Sequence, residues 1–140
     1  MKIIFVCHGN ICRSVAAEYI AKHLDNKHEF ISRATSLEEI GNDIYPPMKR
    51  ELELQNIPYT RHYAQRINQS DYDNADYIFY MDDENRYSLN RLVEDRRNII
   101  KPIYLYSEGI TEIEDPWYTR NFHKVVEQLK ICIKDILKNI

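Results

Sequence analysis

Apolar positions along this chain fall into short unbroken runs that alternate with stripes at helical spacing. Ile3-Ile4-Phe5-Val6, within Lys2–Val6, is apolar throughout and rich in β-branched residues, the pattern of a central strand covered on both faces. Residues 7–14 follow with Gly9 and Asn10, which favour a turn and tolerate unusual dihedrals, and then Ala17, Ile20, Ala21 and Leu24 recur at helical spacing. Phe30-Ile31 predicts a second short strand. Pro46-Pro47 predicts the opening of a helix that carries Met48 and Leu52 inward and closes at Pro58. A third strand is expected over Tyr77–Met81, then a helix marked by Leu89, Leu92 and Val93. A fourth strand is expected over Ile99–Leu105, and Pro102 inside it places it near a sheet edge. The cleanest stripe runs from Phe122 through Val125, Val126, Leu129, Ile133 and Ile136 to Ile140, a helix laid along the sheet.

Strands that alternate with helices imply right-handed crossovers and a parallel, doubly wound α/β sheet, whose ligands bind beyond the carboxyl ends of the strands. Cys7 stands at such an end. A chain of 140 residues with no internal repeat, low-complexity tract or linker predicts one domain over 1–140. Charged residues at 29% and hydrophobic ones at 44% are ordinary for a globular protein. No run is long enough to span a bilayer, and the N-terminus lacks the order of a signal peptide, so the expected location is cytoplasmic and no membrane partner is expected. A net charge of −3 argues against broad nucleic-acid binding, which leaves any anion site local. Three cysteines without paired spacing read as reduced thiols, neither a disulfide framework nor a metal site.

Candidate chemistry concentrates in Cys7-His8-Gly9-Asn10-Ile11-Cys12-Arg13-Ser14, which joins an apolar strand to a helix. A loop wound around an anion can aim successive backbone N–H groups inward, and the helix start behind it adds partial positive charge. Arg13 supplies a planar fork for two phosphate oxygens, and the same surroundings favour the nucleophilic thiolate of Cys7. Cys-to-Arg spacing alone is a weak signal, and a structural strand-to-helix turn with a buried thiol would read the same way.

Together with Asp115-Pro116-Trp117-Tyr118 late in the chain, CHGNICRS resembles the low-molecular-weight protein tyrosine phosphatases. SRATS at 32–36, Ile40-Gly41-Asn42 and YMDDEN at 80–85 extend the resemblance over essentially the whole chain. It implies a four-stranded parallel sheet flanked by helices, with a phosphate-binding loop after the first strand. It further implies hydrolysis of phosphotyrosine in proteins or peptides through a cysteinyl-phosphate, releasing inorganic phosphate without cofactor or metal. By that resemblance Cys7 is the nucleophile, and Arg13 binds phosphate with the amides of His8, Gly9, Asn10, Ile11, Cys12 and Ser14. Asp115 is the general acid and then the base, and Trp117 and Tyr118 line the mouth. Ser14 would hydrogen-bond the thiolate, Asn10, Ser14 and Ser32 would brace the loop, and Glu18 would pair with His62 behind it. Cys12 would be close enough to Cys7 to bridge it reversibly under oxidation.

Other readings of single residues stay open. Ser14 could be a helix-start residue, His62 a solvated loop histidine, Cys12 a small packed thiol, and Trp117 and Tyr118 packing beside the last helix. Val15 stands where the family usually has proline, which predicts a slightly looser loop. Arg33 and Arg120 are also departures; either could favour acidic substrates or be a solvated charge without function. On the same fold, an arsenate reductase would need further downstream thiols. Only Cys132 follows, on the apolar stripe of the last helix. A phosphoarginine phosphatase would carry Thr at Ile11. A catalytically silent phosphopeptide-binding module would not need both Cys7 and Asp115.

Overall fold

The first strand, β1 (Lys2–Cys7), divides its side chains between two cores. Because successive residues of a strand point to opposite faces, Ile3, Phe5 and Cys7 enter one buried cluster while Ile4 and Val6 enter another. That explains why the run is apolar throughout. The computed structural model describes residues 1–140, with β1 followed by α1 (Arg13–Leu24), β2 (Glu29–Ala34), α2 (Pro46–Leu54) and α3 (Gln69–Asn74). Then come β3 (Tyr77–Tyr80), α4 (Asp83–Leu92), β4 (Ile100–Pro102), α5 (Pro116–Thr119) and α6 (Phe122–Asn139).

All pairings in the sheet are parallel, in the order β2-β1-β3-β4. The larger core lies between one face of the sheet and α1, α2 and α6, with Ala17, Ile20, Leu52, Val125 and Leu129 fully buried in it. The smaller core lies under α3 and α4, where Tyr72 and Leu89 cover Ile4, Ile78 and Val6. The fold is therefore the doubly wound α/β sheet anticipated above. From β1 the chain crosses first to β2 on one side and later to β3 on the other. A crevice forms where the crossovers diverge, beyond the carboxyl end of β1. Register puts Cys7 level with Ala34 there, and Val6 level with Tyr80.

Several boundaries differ from the pattern. Strand β4 spans Ile100–Pro102 only: Pro102 has no N–H to extend the ladder, and beyond it the chain turns, with Ile103 N donating to Tyr80 O at 2.9 Å. It does lie at an edge. Helix α2 stops at Leu54, where Asn56 takes a left-handed φ of 57° and Ile57 N reaches back to Leu52 O, before Pro58 is reached. Strand β3 ends at Tyr80 because Met81 N turns to the side-chain oxygen of Asn85. Val93 caps α4 from outside it, and Leu24, at the end of α1, is exposed. Two short helices, α3 and α5, were not anticipated. A six-residue helix with one buried residue, Tyr72, has no stripe, although the reciprocal cap between Asn68 and Asp71 is a local signal for it.

Candidate active site

The loop from β1 to α1 is held in shape by side chains beneath it. Asn10 adopts a left-handed φ of 62°, and it alone in the loop does so; Gly9 does not. Asn tolerates that region because its short amide can bond locally, and here every group of that amide is used. Its Nδ2 donates to Ser14 Oγ at 2.8 Å and to Ser32 Oγ at 3.0 Å, and its Oδ1 accepts from Gln65 N at 3.1 Å. Asn10, Ser14 and Ser32 are all buried, so each lost bond would leave a desolvated polar group.

Cys7 Sγ sits in the cup of this loop. The amides of Asn10 and Ser14 point at it from 3.3 and 3.4 Å, and the thiol donates to Ser14 Oγ at 3.0 Å. Ser14 is the second residue of α1, in its first turn, so it is a helix-start residue as well as a partner of Cys7, and the cap before it, Cys12, makes no side-chain bond. Cys12 thus leaves the first helical amides uncapped, and that of Ser14 turns to Cys7 Sγ.

Arg13, nearly fully buried, reaches across to the carboxyl end of β3. Its Nη1 donates to Asp82 Oδ2 at 2.7 Å and to Ile113 O at 2.8 Å, while Nη2 lies 3.6 Å from Asp115 Oδ2. Burial works against the charged guanidinium, but Cys7, Asp82 and Asp115 outweigh it and hold Arg13 above its ordinary range. Asp82 is itself fixed as the cap of α4, its Oδ1 accepting from Asn85 N at 2.9 Å. Asp115 plays the same part for α5: its Oδ1 accepts from Trp117 N at 3.0 Å, leaving Oδ2 turned to Arg13. Asp115 is thus both the turn-opening residue before Pro116 and a wall of the cavity.

That cavity, of about 130 Å³, is lined by Cys7, Arg13, Cys12, Asp115, Trp117 and Tyr118, with His8, Gly9 and Ile11 beside them. Trp117 and Tyr118 are exposed, so they stand at the mouth rather than packing in the core. Trp117 leans on Tyr45 with ring centroids 4.6 Å apart. Burial, then the proximity of Cys7 and Asp115, pushes the Cys12 thiol far above its ordinary range. His8 is exposed and lies 3.1 Å from Glu38.

Glu18 and His62 do not meet. Glu18 accepts from Ser32 Oγ and from Lys22 Nζ, each at 2.6 Å, and Lys22, one helical turn on, supplies the cation expected of the histidine. His62 Nε2 instead bonds Asn10 O at 2.7 Å, and burial lowers its proton affinity below the ordinary value. It is buried, not a solvated loop residue. Asp82, Glu38 and Glu39 enter the site without having been singled out. Only Asp82 carried a local signal, as the capping residue three positions before Asn85.

A family model described as low molecular weight phosphotyrosine protein phosphatase matches residues 2–140. The chain belongs to that family. Among its relatives, the low molecular weight protein-tyrosine-phosphatase YfkJ of Bacillus subtilis is 31% identical over 149 residues, covering 100% of this chain and 96% of its own. The low molecular weight phosphotyrosine protein phosphatase of Gallus gallus is 34% identical over 149 residues, covering 97% and 93%. The crystal structure of YfkJ superposes with a TM-score of 0.92, covering 100% of this chain and 94% of that one. A cup-shaped loop over a cysteine thus sits in a phosphatase fold. No helix of the chain is long and apolar enough to cross a membrane.

Proposed function

We propose that residues 1–140 act as one catalytic domain that hydrolyses phosphotyrosine in proteins or peptides through a cysteinyl-phosphate. The observation that carries this reading is the sharing of one small cavity by Cys7, Arg13 and Asp115, with two aromatic rings at its mouth. The phosphoryl dianion enters the cup, where the loop amides and Arg13 take up charge on its non-bridging oxygens. Cys7 Sγ attacks phosphorus as the bond to the tyrosyl oxygen breaks, and a protonated Asp115 gives its proton to that oxygen. Ser14 Oγ accepts from Asn10, which leaves its own proton free to turn toward the sulfur once that is a thiolate. Water then attacks phosphorus while Asp115 takes its proton; the P–S bond breaks, and inorganic phosphate leaves. Cys7 enters the cycle as a thiolate, its thiol proton having passed to solvent, and is released as one, while Asp115 gives one proton and takes one back from water.

Cys132 is buried in the core on α6 and does not line the cavity that holds Cys7, which argues against a disulfide relay of the arsenate reductase kind. In this reading Cys12 guards Cys7: peroxide converts the Cys7 thiol to a sulfenic acid, and Cys12 displaces water from it to give a reducible disulfide. Cys12→Ser should turn recoverable peroxide inactivation into permanent loss; equal recovery by reductant in both proteins would remove Cys12 from the scheme. The central assignment is tested with Cys7→Ser, expected to abolish turnover of phosphotyrosine while calorimetry still detects phosphate or vanadate. Turnover above about a tenth of wild type would overturn it, since loss of a nucleophile removes several orders of magnitude.

A further inference from the structure

The cavity opens between two acidic walls. On one side the segment after β2 brings Glu38 and Glu39 into its lining. On the other, Asp83, Glu84 and Glu112 line a groove that shares His8, Arg13, Asp115 and Tyr118 with it. Glu39 and Glu112 are held in place by hydrogen bonds. Glu39 accepts from Asn42 Nδ2 at 2.7 Å, and its Cγ lies 3.4 Å from where a side chain on Gly9 would begin, so it leans over the phosphate loop. Glu112 accepts from Asp83 N at 2.9 Å. Glu39, Asp83, Glu84 and Glu112 take part in no ion pair, and Glu38 has only the imidazole of His8.

The two arginines that could have favoured acidic substrates are both held by side chains and carbonyls of the fold, Arg120 beside Trp117 at the mouth. Arg33 is paired to Asp71 at 3.1 Å and bonds its neighbour's carbonyl, Ser32 O, at 2.9 Å. Arg120 bonds the Tyr45 hydroxyl at 3.1 Å and lies over the rings of Tyr45 and Phe122. Neither lines the cavity. Inside it, the one guanidinium is already bound to Asp82 and near Asp115. A dianionic substrate therefore meets a lining whose one Lys or Arg side chain, Arg13, is already paired, in a chain of net charge −3.

From this we infer that the rim selects phosphotyrosine flanked by lysine or arginine, with the substrate supplying the cations that those carboxylates lack. The inference rests on the phosphatase reading above and names its substrate class. With the phosphate in the cup and the tyrosine ring between Trp117 and Tyr118, the flanking residues of a peptide lie along the two walls. Basic side chains there pair with Glu38, Glu39, Glu84 and Glu112, whereas acidic ones are repelled. Because the rim is exposed, the effect resides mainly in association and is screened by salt.

The test uses two phosphotyrosine peptides that differ only in carrying lysines or glutamates at the two positions on each side of the tyrosine. Their kcat/KM values are compared at low and high salt, with para-nitrophenyl phosphate as a substrate without flanks. At low salt the lysine peptide should be favoured roughly 5- to 30-fold, several exposed pairs each contributing a small factor. High salt, and a Glu38→Gln/Glu84→Gln/Glu112→Gln variant, should each bring the ratio below about threefold. The ratio is read within one protein, so a slower variant still reports, and Glu84→Gln alone gives a lesser change should the triple variant fail to fold. Turnover of para-nitrophenyl phosphate with equal use of both peptides, or preference for the glutamate peptide, overturns the inference alone. No turnover of any substrate overturns the phosphatase reading, and the preference would then be sought in affinities for the two peptides, equal values refuting it.

Discussion

The floor of the phosphate loop and its mouth are built on opposite terms. Beneath the loop, Asn10, Ser14, Ser32, Glu18 and His62 are buried and joined by hydrogen bonds of 2.6–3.0 Å, so each has its conformation imposed by the others. Around the mouth, Trp117, Tyr118, His8 and Glu38 are exposed and tied by few bonds. A buried polar network is costly to break and settles one geometry, whereas an exposed rim can change without unfolding anything. The division lets the reactive groups stay fixed while the surface that meets the rest of the substrate is free to vary.

Changes at different depths should separate these two behaviours. Asp115, at the boundary, should give the largest loss: Asp115→Asn should slow phosphorylation of Cys7 by phosphotyrosine roughly 10²–10⁴-fold, the usual contribution of a general acid. Across substituted aryl phosphates, the variant's single-turnover rates should fall steeply with leaving-group basicity while the wild type's fall little; parallel slopes would reject Asp115. In the floor, Asn10→Ala puts an alanine into a left-handed conformation and strands two buried partners, Ser14 and Ser32, so roughly 2–4 kcal/mol of stability should be lost. Chemical denaturation measures that loss, and kcat should fall with it. At the mouth, Tyr118→Ala should raise KM for phosphopeptides several-fold with denaturation unchanged within about 0.5 kcal/mol. A stability loss at Tyr118 equal to that at Asn10 would dissolve the comparison.

The smallest effect concerns pH. His62 holds its proton less tightly when folded, first because it is buried, so the unfolded chain binds more protons just below the ordinary value of 6.5. The stability associated with neutral His62 is complete above that value and is lost as pH falls through the lower folded one. His62→Gln, which can still donate to Asn10 O, should lack this loss. Melting temperatures of the two proteins should therefore converge or cross as pH falls from 7.5 to 5; a constant gap would mean that His62 does not titrate with folding.

What could be read from the residues alone was whatever lies close together in the chain. The loop from Cys7 to Ser14 and the Asp115-Pro116 step are contiguous, and the alternation of strand and stripe determines the order of layers. The partners of Arg13 are less accessible: Asp82 lies 69 positions away and meets it only because β1 and β3 are neighbours in the sheet. The substitution of Lys22 for His62 beside Glu18 reflects a helical neighbour outcompeting a distant loop, and nothing in the spacing ranks those two cations. Glycine and asparagine side by side suggested two residues of unusual conformation, but one left-handed residue suffices for the turn, and Asn10 takes it because its amide is also the hub of the floor.

The two margins of the sheet have a bearing on assembly. An open parallel sheet ends in strands whose free N–H and C=O groups can recruit a strand from another molecule, the first step toward cross-β aggregation. At β2 that step is obstructed at the carboxyl end: Ala34 N donates to Gln65 O at 2.7 Å and Ala34 O accepts from Ile67 N at 2.9 Å, so a segment of the same chain already occupies the margin next to the loop. At β4 the margin is three residues long and one of them, Pro102, has no hydrogen to give. An incoming strand finds the β2 edge blocked at its carboxyl end and only three residues at β4, so the native sheet offers a shortened template for its own polymerisation.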